Sequence, residues 1–175
     1  MNSRRSFIVS GGGIGGLTTA LVLAQDGHAV TVLEQATEFG EIGAGIQLGP
    51  NIFKMFEVLG LTGAVNQVAF FPTGLGMNAQ GAGQAIEDAV VLREALRHTR
   101  GDVPAAFQHY QQARYLRTGR VQLTARFYGD IYHASGVQRE LRNQMFQGGL
   151  ESAGFAGLKW MYDGIEPAKL FQSSL

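Results

Sequence analysis

Hydrophobic positions in the first 34 residues follow a strand, helix, strand pattern. Phe7-Ile8-Val9 and Ala29–Leu33 are short apolar runs of the kind that form buried strands. The stretch Leu17–Ala24 between them has apolar residues at helical spacing, and it stops at Asp26-Gly27, where a glycine can end a helix. Together these elements predict a βαβ unit of about 30 residues.

The rest of the chain is mostly helical in pattern. The expected elements are a helix over Asn51–Leu59 ending at Gly60, a strand over Val68–Phe71, an amphipathic helix over Ala82–His98, a long helix from an Asp102 N-cap to about Tyr132 with Gly119 as a point where it can bend, and a helix over Val137–Phe146. From Gly148 onward the pattern is loose, with Trp160, Tyr162 and Ile165 as anchors. We therefore expect an α/β fold, with a Rossmann-like βαβ domain over residues 1–98 and a helical segment over residues 99–175.

Aromatic residues in the long helix recur at helical spacing, which favours packing into a core over a stacking platform for ligands. They are Phe107, Tyr110, Phe127, Tyr128 and Tyr132.

Composition and charge narrow the classes of function. The chain has 175 residues and no cysteine, which excludes disulfide scaffolds and thiolate metal sites. Fourteen Lys and Arg balance 14 Asp and Glu, which argues against nucleic acid as a partner. The first 90 residues are acidic, with 3 basic against 7 acidic side chains, and the remainder is basic, with 11 against 7.

No apolar run in the sequence is long enough to cross a membrane. No pair of histidines has the spacing of metal ligands. A cytoplasmic location is expected by default.

Glycine is the exception in composition, because 16 of the 25 glycines fall in residues 1–83. The spacing Gly11-x-Gly13-x-x-Gly16 lies between the first predicted strand and helix, and Glu34 follows the second strand. In dinucleotide sites the first glycine permits a tight turn, the second lets the backbone approach a pyrophosphate, and the third lets helix and strand pack closely. The helix N-terminus attracts the phosphates, and a carboxylate at Glu34 can bind ribose hydroxyls. The alternative is a glycine-rich turn that serves packing alone.

The glycine pattern by itself does not distinguish FAD from NAD. A carboxylate at Glu34 suits a free adenosine ribose better than a 2′-phosphate, so FAD or NAD fits this site better than NADP.

The motifs resemble those of the single-component FAD-dependent aromatic-ring hydroxylases, the class A flavoprotein monooxygenases. The resemblance lies in the run from Ile8 through Ala36 and in the segment Phe39–Asn51 that follows it. It implies that the first segment holds the ADP half of FAD and that the loop Gly43–Gln47 runs beside the ribityl chain and the flavin. The cofactor-binding residues that the motifs and the resemblance together imply are Gly11, Gly13, Ile14, Gly15, Gly16, Glu34, Gln35 and Gln47.

A second segment, Ala79–Ala89, is similar to the part of these hydroxylases in which a helix N-terminus points at the flavin pyrimidine ring. The resemblance adds Gly81, Ala82 and Gly83 to the cofactor-binding residues. A third similarity lies in Tyr128–His133 and in Leu141-Arg142-Asn143.

The chain also departs from these hydroxylases. They are much longer and carry a central region with the substrate-binding sheet and two further cofactor motifs, none of which occurs in this sequence. The segment Phe71–Met77 resembles the part just before that region, and Ala79-Gln80-Gly81 the part just after it. We therefore expect an internal deletion joined near residues 77–80, which would impair hydroxylation.

Three functions remain open from the sequence. The first is an FAD-dependent oxidoreductase that hydroxylates a phenolic acid of the 3-hydroxybenzoate or salicylate type with NAD(P)H and O₂. The second is a non-catalytic FAD-binding remnant, and the third is an NAD-binding reductase on the same βαβ unit. The sequence assigns no catalytic residue, and it leaves assembly as a homo-oligomer open.

Overall fold

The structure is a computed structural model that describes residues 4–39, 46, 48–69, 81–147 and 151–172, of which residues 151–156 are described by backbone alone. Its elements are β1 (Ser6–Ser10), α1 (Ile14–Gln25), β2 (Ala29–Leu33), α2 (Pro50–Leu59), α3 (Thr62–Val68), α4 (Gly81–His98), α5 (Val103–Tyr132), α6 (Gly136–Gln147), α7 (Glu151–Tyr162) and a short 3-10 turn (Pro167–Lys169).

The two described strands form a parallel pair joined by α1. Their register aligns Ser6 with Ala29 and Ser10 with Leu33, so both strands end at the same edge of the sheet. The exposed fraction of Ile8 is 73% and that of Leu33 is 54%, so no described element covers this face of the sheet. The opposite face packs on α1, whose Val22 and Leu23 are buried.

Helix α4 lies at the centre of the packing, in contact with α1, α2 and α5. Its buried residues Ile86, Ala89, Val90, Ala95 and Leu96 join apolar residues of α1 and α2 in one core. A small separate cluster joins Val121 of α5 to Leu158 and Met161 of α7. The α/β fold with a Rossmann-like beginning and a mainly helical remainder is therefore confirmed.

Several helix ends follow the signals in the sequence. Gly60 ends α2 in the left-handed conformation with φ 71°, and Gly27 follows α1 with φ 82°. The side chain of Asp102 caps α5 by accepting a hydrogen bond from the backbone N–H of Ala105 at 3.2 Å. Helix α5 runs without interruption through Gly119, so the lower helix propensity of glycine is outweighed by the turns on either side.

The strand expected over Val68–Phe71 is wrong in its described half. Val68 is the last residue of α3, and the N–H of Ala69 still donates to the carbonyl of Val65 at 2.8 Å. Short apolar runs do not distinguish a strand from a helix end, and the helical bonds decide it here. Phe70 and Phe71 lie outside the described residues.

Two helices have no counterpart in the predicted pattern, α3 and α7. The region of α7 was expected to be loosely patterned, yet a helix covers Glu151–Tyr162. The aromatic stripe of α5 is also less buried than its spacing suggests, because Phe107, Phe127 and Tyr132 are each more than half exposed.

Candidate functional site

The turn after β1 has the geometry that its first glycine predicts. Gly11 adopts φ 99°, a conformation that residues with a side chain rarely take. Its backbone N–H donates to the carbonyl of Leu33 at 2.7 Å, so the turn continues the pairing between the two strands. The chain then enters α1 through Gly13, which is the N-cap residue with φ −71°.

Gly16 is where the first turn of α1 meets the end of β1. A Cβ atom on Gly16 would lie 1.9 Å from the carbonyl oxygen of Gly11 and 3.4 Å from Cγ1 of Val9. No side chain fits in that space, so the close approach of helix and strand requires glycine at this position.

Gly13 has the opposite surroundings, because among the described residues no atom lies within 4 Å of the position that a Cβ atom there would occupy. The space lies at the N-terminus of α1, where the first backbone N–H groups of a helix have no acceptor within the helix. Those groups and the helix dipole favour an anion at this point. The backbone roles expected of Gly11 and Gly16 are thus confirmed, and the role of Gly13 toward a phosphate stays a prediction.

Glu34 lies against the same glycine turn, at Gly12. Its carboxylate accepts hydrogen bonds from the backbone N–H of Gly12 at 2.5 Å and of Ala36 at 2.8 Å. The bonds from Ala36 and Gly12 lower the pKa of Glu34 below its usual value, because they stabilise the ionised form. The carboxylate therefore stays ionised and lies against the glycine turn, where a sugar hydroxyl could donate to it.

Phe39 is a neighbour of the glycine turn that the sequence did not single out. A Cβ atom on Gly12 would lie 2.5 Å from Cε1 of Phe39 and 3.0 Å from Oε2 of Glu34. The ring is 73% exposed, so it covers the turn without entering the core. An aromatic residue in a loop carries no spacing signal, which is why sequence patterns did not reveal it.

The structure brings part of the second predicted segment to the same place. Gly81, Ala82 and Gly83 form the first turn of α4. Two residues further on, Cβ of Ala85 lies 3.4 Å from the position that a Cβ atom on Gly15 would occupy. The beginnings of α1 and α4 are therefore packed against each other.

The other predicted cofactor-binding residues are exposed or lie outside the described residues. Ile14 begins α1 beside Gly15 and is exposed, and Gln35 follows Glu34 on the surface. Gln47, the residues 40–45 and the expected deletion junction at residues 77–80 lie outside the described residues. The described residues thus fit the ADP half of a dinucleotide, with open space at a helix N-terminus beside an ionised carboxylate.

A cleft of about 900 Å³ lies at the end of α1 that is remote from the glycine turn. It includes Gln25 and Lys54 on one side and Arg93 and Arg97 on the other, with Glu94 between the two arginines in sequence. Arg97 is paired with Glu94 and with Asp26. Its size does not make it the candidate site, because its charged groups largely pair with one another and none of the predicted residues lines it.

Two negative findings concern the described part of the chain alone. Within it, no three or more His, Asp or Glu side chains are grouped as metal ligands would be. None of its helices combines the length and the apolar character needed to cross a membrane.

Comparison with known proteins agrees with this geometry. Residues 9–57 match the family model of the NAD(P)-binding Rossmann-like domain. This segment is a Rossmann-like domain. It contains the whole glycine motif, together with Glu34 and most of α2. No solved structure is significantly similar to the chain.

Several curated relatives of the chain are hydroxylases or monooxygenases by name. The chain is 45% identical over 84 residues to a 3-hydroxybenzoate 6-hydroxylase of Polaromonas naphthalenivorans, a match that covers 48% of this chain and 21% of the relative. It is 48% identical over 68 residues to a 3-amino-4-hydroxybenzoate 2-monooxygenase of Streptomyces platensis, covering 39% and 17% of the two chains. It is 41% identical over 68 residues to an FAD-dependent monooxygenase of Beauveria bassiana, covering 39% and 16%.

These matches confirm the resemblance to FAD-dependent aromatic-ring hydroxylases over the matched part of the chain. The matches span about a fifth of the length of these relatives.

Proposed function

We propose that this chain binds FAD through the glycine turn and α1, as the cofactor domain of an aromatic-ring hydroxylase. The observation that carries the proposal is the position of Glu34, whose ionised carboxylate lies against Gly12 beside the open N-terminus of α1. The similarity to a 3-hydroxybenzoate 6-hydroxylase and to a monooxygenase named as FAD-dependent favours FAD over other dinucleotides.

The chain's own residues would do three things for the cofactor. The first-turn N–H groups of α1 would hold the pyrophosphate, with Gly13 leaving room for it. Glu34 would accept hydrogen bonds from the adenosine ribose, and the first turn of α4, at Gly81–Gly83, would present its N–H groups to the flavin. Bound FAD would supply the redox chemistry that couples NAD(P)H and O₂ to ring hydroxylation.

The proposed substrate of the complete enzyme is a phenolic acid of the 3-hydroxybenzoate or salicylate type. We further propose that this chain is impaired in hydroxylation, because it lacks the central region that bounds the substrate pocket. Residues 1–98 would then act as the cofactor domain and residues 99–175 as its helical support.

Titration with FAD tests the proposal directly. The purified protein, stripped of ligand, is titrated with FAD, and binding is followed by flavin fluorescence. We expect saturable binding, with ADP competing because it fills the same half of the site. An absence of FAD binding would contradict the proposal.

A second candidate is NAD binding at the same turn, favoured by the family model that matches residues 9–57. The same titration with NADH distinguishes the two. Tight binding of NADH without binding of FAD would support an NAD-binding reductase instead.

A further inference from the structure

A fully buried carboxylate on α4 gathers four hydrogen bonds. Glu87 accepts from Nδ2 of Asn51 at 2.9 Å and from Nη1 of Arg114 at 2.8 Å. Arg117 donates to both of its oxygens, from Nε and from Nη2, at 2.7 Å each. One side chain of α4 is therefore bonded to the beginning of α2 and to two arginines of α5.

The two arginines extend these bonds along α4 and to α7. Arg114, itself 3% exposed, also bonds Asp88 at 2.6 Å and Gln84 at 2.7 Å. Arg117 reaches the backbone carbonyl of Trp160 at 3.3 Å. We call Glu87, Arg114 and Arg117 the arginine clamp. Its hydrogen bonds connect the first two turns of α4 to α5.

The opposite side of the same turns lies on the glycine motif. Ala85 is the residue of α4 that packs on Gly15, at 3.4 Å from the position of a Cβ atom there. Ala85 and Glu87 are two residues apart, which places them on nearly opposite sides of a helix. The beginning of α4 is thus held between the glycine turn and the arginine clamp.

Buried ion pairs are often no more stabilising than apolar residues of the same volume, since both charges lose their hydration. Their better-attested use is to fix one arrangement of packed elements. The clamp has the geometry for that use, because an apolar replacement would allow α4 to slide along α5 whereas the directed bonds do not.

We propose that Glu87 is a positioning residue for the dinucleotide site, which it serves by holding α4 against the glycine turn. This inference rests on the proposed FAD site and deepens it, because it makes the affinity of that site depend on α5 and α7. Glu87 itself would not touch the cofactor.

The test compares Glu87→Gln with Arg97→Gln. Each change removes two ion pairs of an α4 residue. Arg97, however, lies at the far end of the helix, where it bonds Asp26 at the end of α1 at 2.8 Å. We expect Glu87→Gln to weaken FAD binding by about tenfold or more and to change the visible circular dichroism of the bound flavin. Arg97→Gln should leave both nearly unchanged.

The temperature of the titrations is chosen so that a displaced α4 can be distinguished from an unfolded protein. Titrations are made where far-ultraviolet circular dichroism shows each variant at least about 95% folded, since the unfolded remainder then changes the apparent dissociation constant by only about 5%. If Glu87→Gln does not fold, Arg117→Lys replaces it, because lysine keeps the charge and loses the paired bonds. Arg117→Lys should weaken FAD binding as well, and wild-type affinity in that variant would overturn the proposal.

The outcomes for the two proposals are distinct. Wild-type protein that binds FAD, together with a Glu87→Gln variant of equal affinity and equal flavin signal, overturns the positioning role alone. Equal weakening in Glu87→Gln and Arg97→Gln overturns it too, because the effect would then be general destabilisation. Wild-type protein that binds no FAD overturns the proposed function and this inference with it.

Discussion

Gly16 and Gly11 approach so closely that a methyl group on Gly16 would lie 1.9 Å from the carbonyl oxygen of Gly11. Gly13, three residues earlier, has no described atom within 4 Å of the position that a Cβ atom would occupy. The two glycines of one motif therefore have different surroundings. Gly16 is required for the close approach of helix and strand, whereas room for a ligand at Gly13 stays a prediction.

Alanine substitutions should separate these roles. Gly16→Ala is expected to lower the free energy of unfolding by about 3 kcal/mol or more, because helix and strand must move apart. Gly13→Ala should change it by no more than about 1 kcal/mol, since Gly13 has an ordinary φ and an N-cap alanine costs about that much. Urea unfolding of the ligand-free variants measures both, and equal losses would refute the assignment.

FAD affinity should depend on both carboxylate oxygens of Glu34. Glu34→Gln keeps the shape and one acceptor but loses the charge, so we expect FAD binding to weaken by about tenfold or more, as for a hydrogen bond to an ionised group. Glu38→Gln, four residues further along the exposed loop, is the matched control and should bind FAD like the wild type. Fluorescence titration of the three proteins gives the comparison.

Acid should destabilise the protein through Glu87. Burial raises the pKa of this carboxyl, but the hydrogen bond and charge of Arg117, with bonds from Asn51 and Arg114, outweigh burial and hold it below its ordinary value of 4.5. A lowered pKa in the folded state means that the stabilisation is present above pH 4.5 and is lost as the pH falls through the folded-state value.

The melting temperature of the wild type should therefore fall more steeply below pH 4.5 than that of Glu87→Gln, which has no carboxyl to protonate. Thermal melts followed by circular dichroism from pH 3 to pH 7 would show this, and parallel curves would speak against it.

Hydroxylation should be absent or uncoupled in this chain even if FAD is bound. Ring hydroxylation requires a pocket that excludes water, and otherwise reduced oxygen is released as hydrogen peroxide. We expect that the electrons of any NADH consumed in the presence of 3-hydroxybenzoate reduce O₂ to hydrogen peroxide. Chromatography for a dihydroxybenzoate, with a peroxide assay alongside, tests this, and product formed in proportion to NADH would contradict it.

The Rossmann-like βαβ unit at the start of the chain can be predicted from the sequence because its signals are local. Glycines at fixed spacing, two apolar runs and a terminal acid each act within a few residues, and they predicted the turn at Gly11 and the contact at Gly16. Helix caps at Asp102 and Gly60 were readable for the same reason.

What escaped the sequence depends on contacts between distant residues. Glu87 and Arg117 are 30 positions apart and look like ordinary charges on two amphipathic helices, until packing buries the carboxylate completely. For a related reason, the packing expected of the aromatic residues of α5 holds for Tyr110 and Tyr128, whereas Phe107, Phe127 and Tyr132 are exposed. Helical spacing predicts which residues share a face of a helix. Burial also requires a neighbouring element that packs on that face, and the side chain of Phe127 remains 61% exposed.

Helix α5 contains 30 residues, and its buried side chains, Ala106, Arg114 and Val121, all lie in its first two thirds. Beyond Val121, its side chains are at most half-buried. Backbone amides from Ala106 to Val121 should thus exchange with deuterium only when the whole protein opens, while those near Tyr132 exchange through fraying of the helix end. A single helix would then report two stabilities, which mass spectrometry of its peptides can read separately.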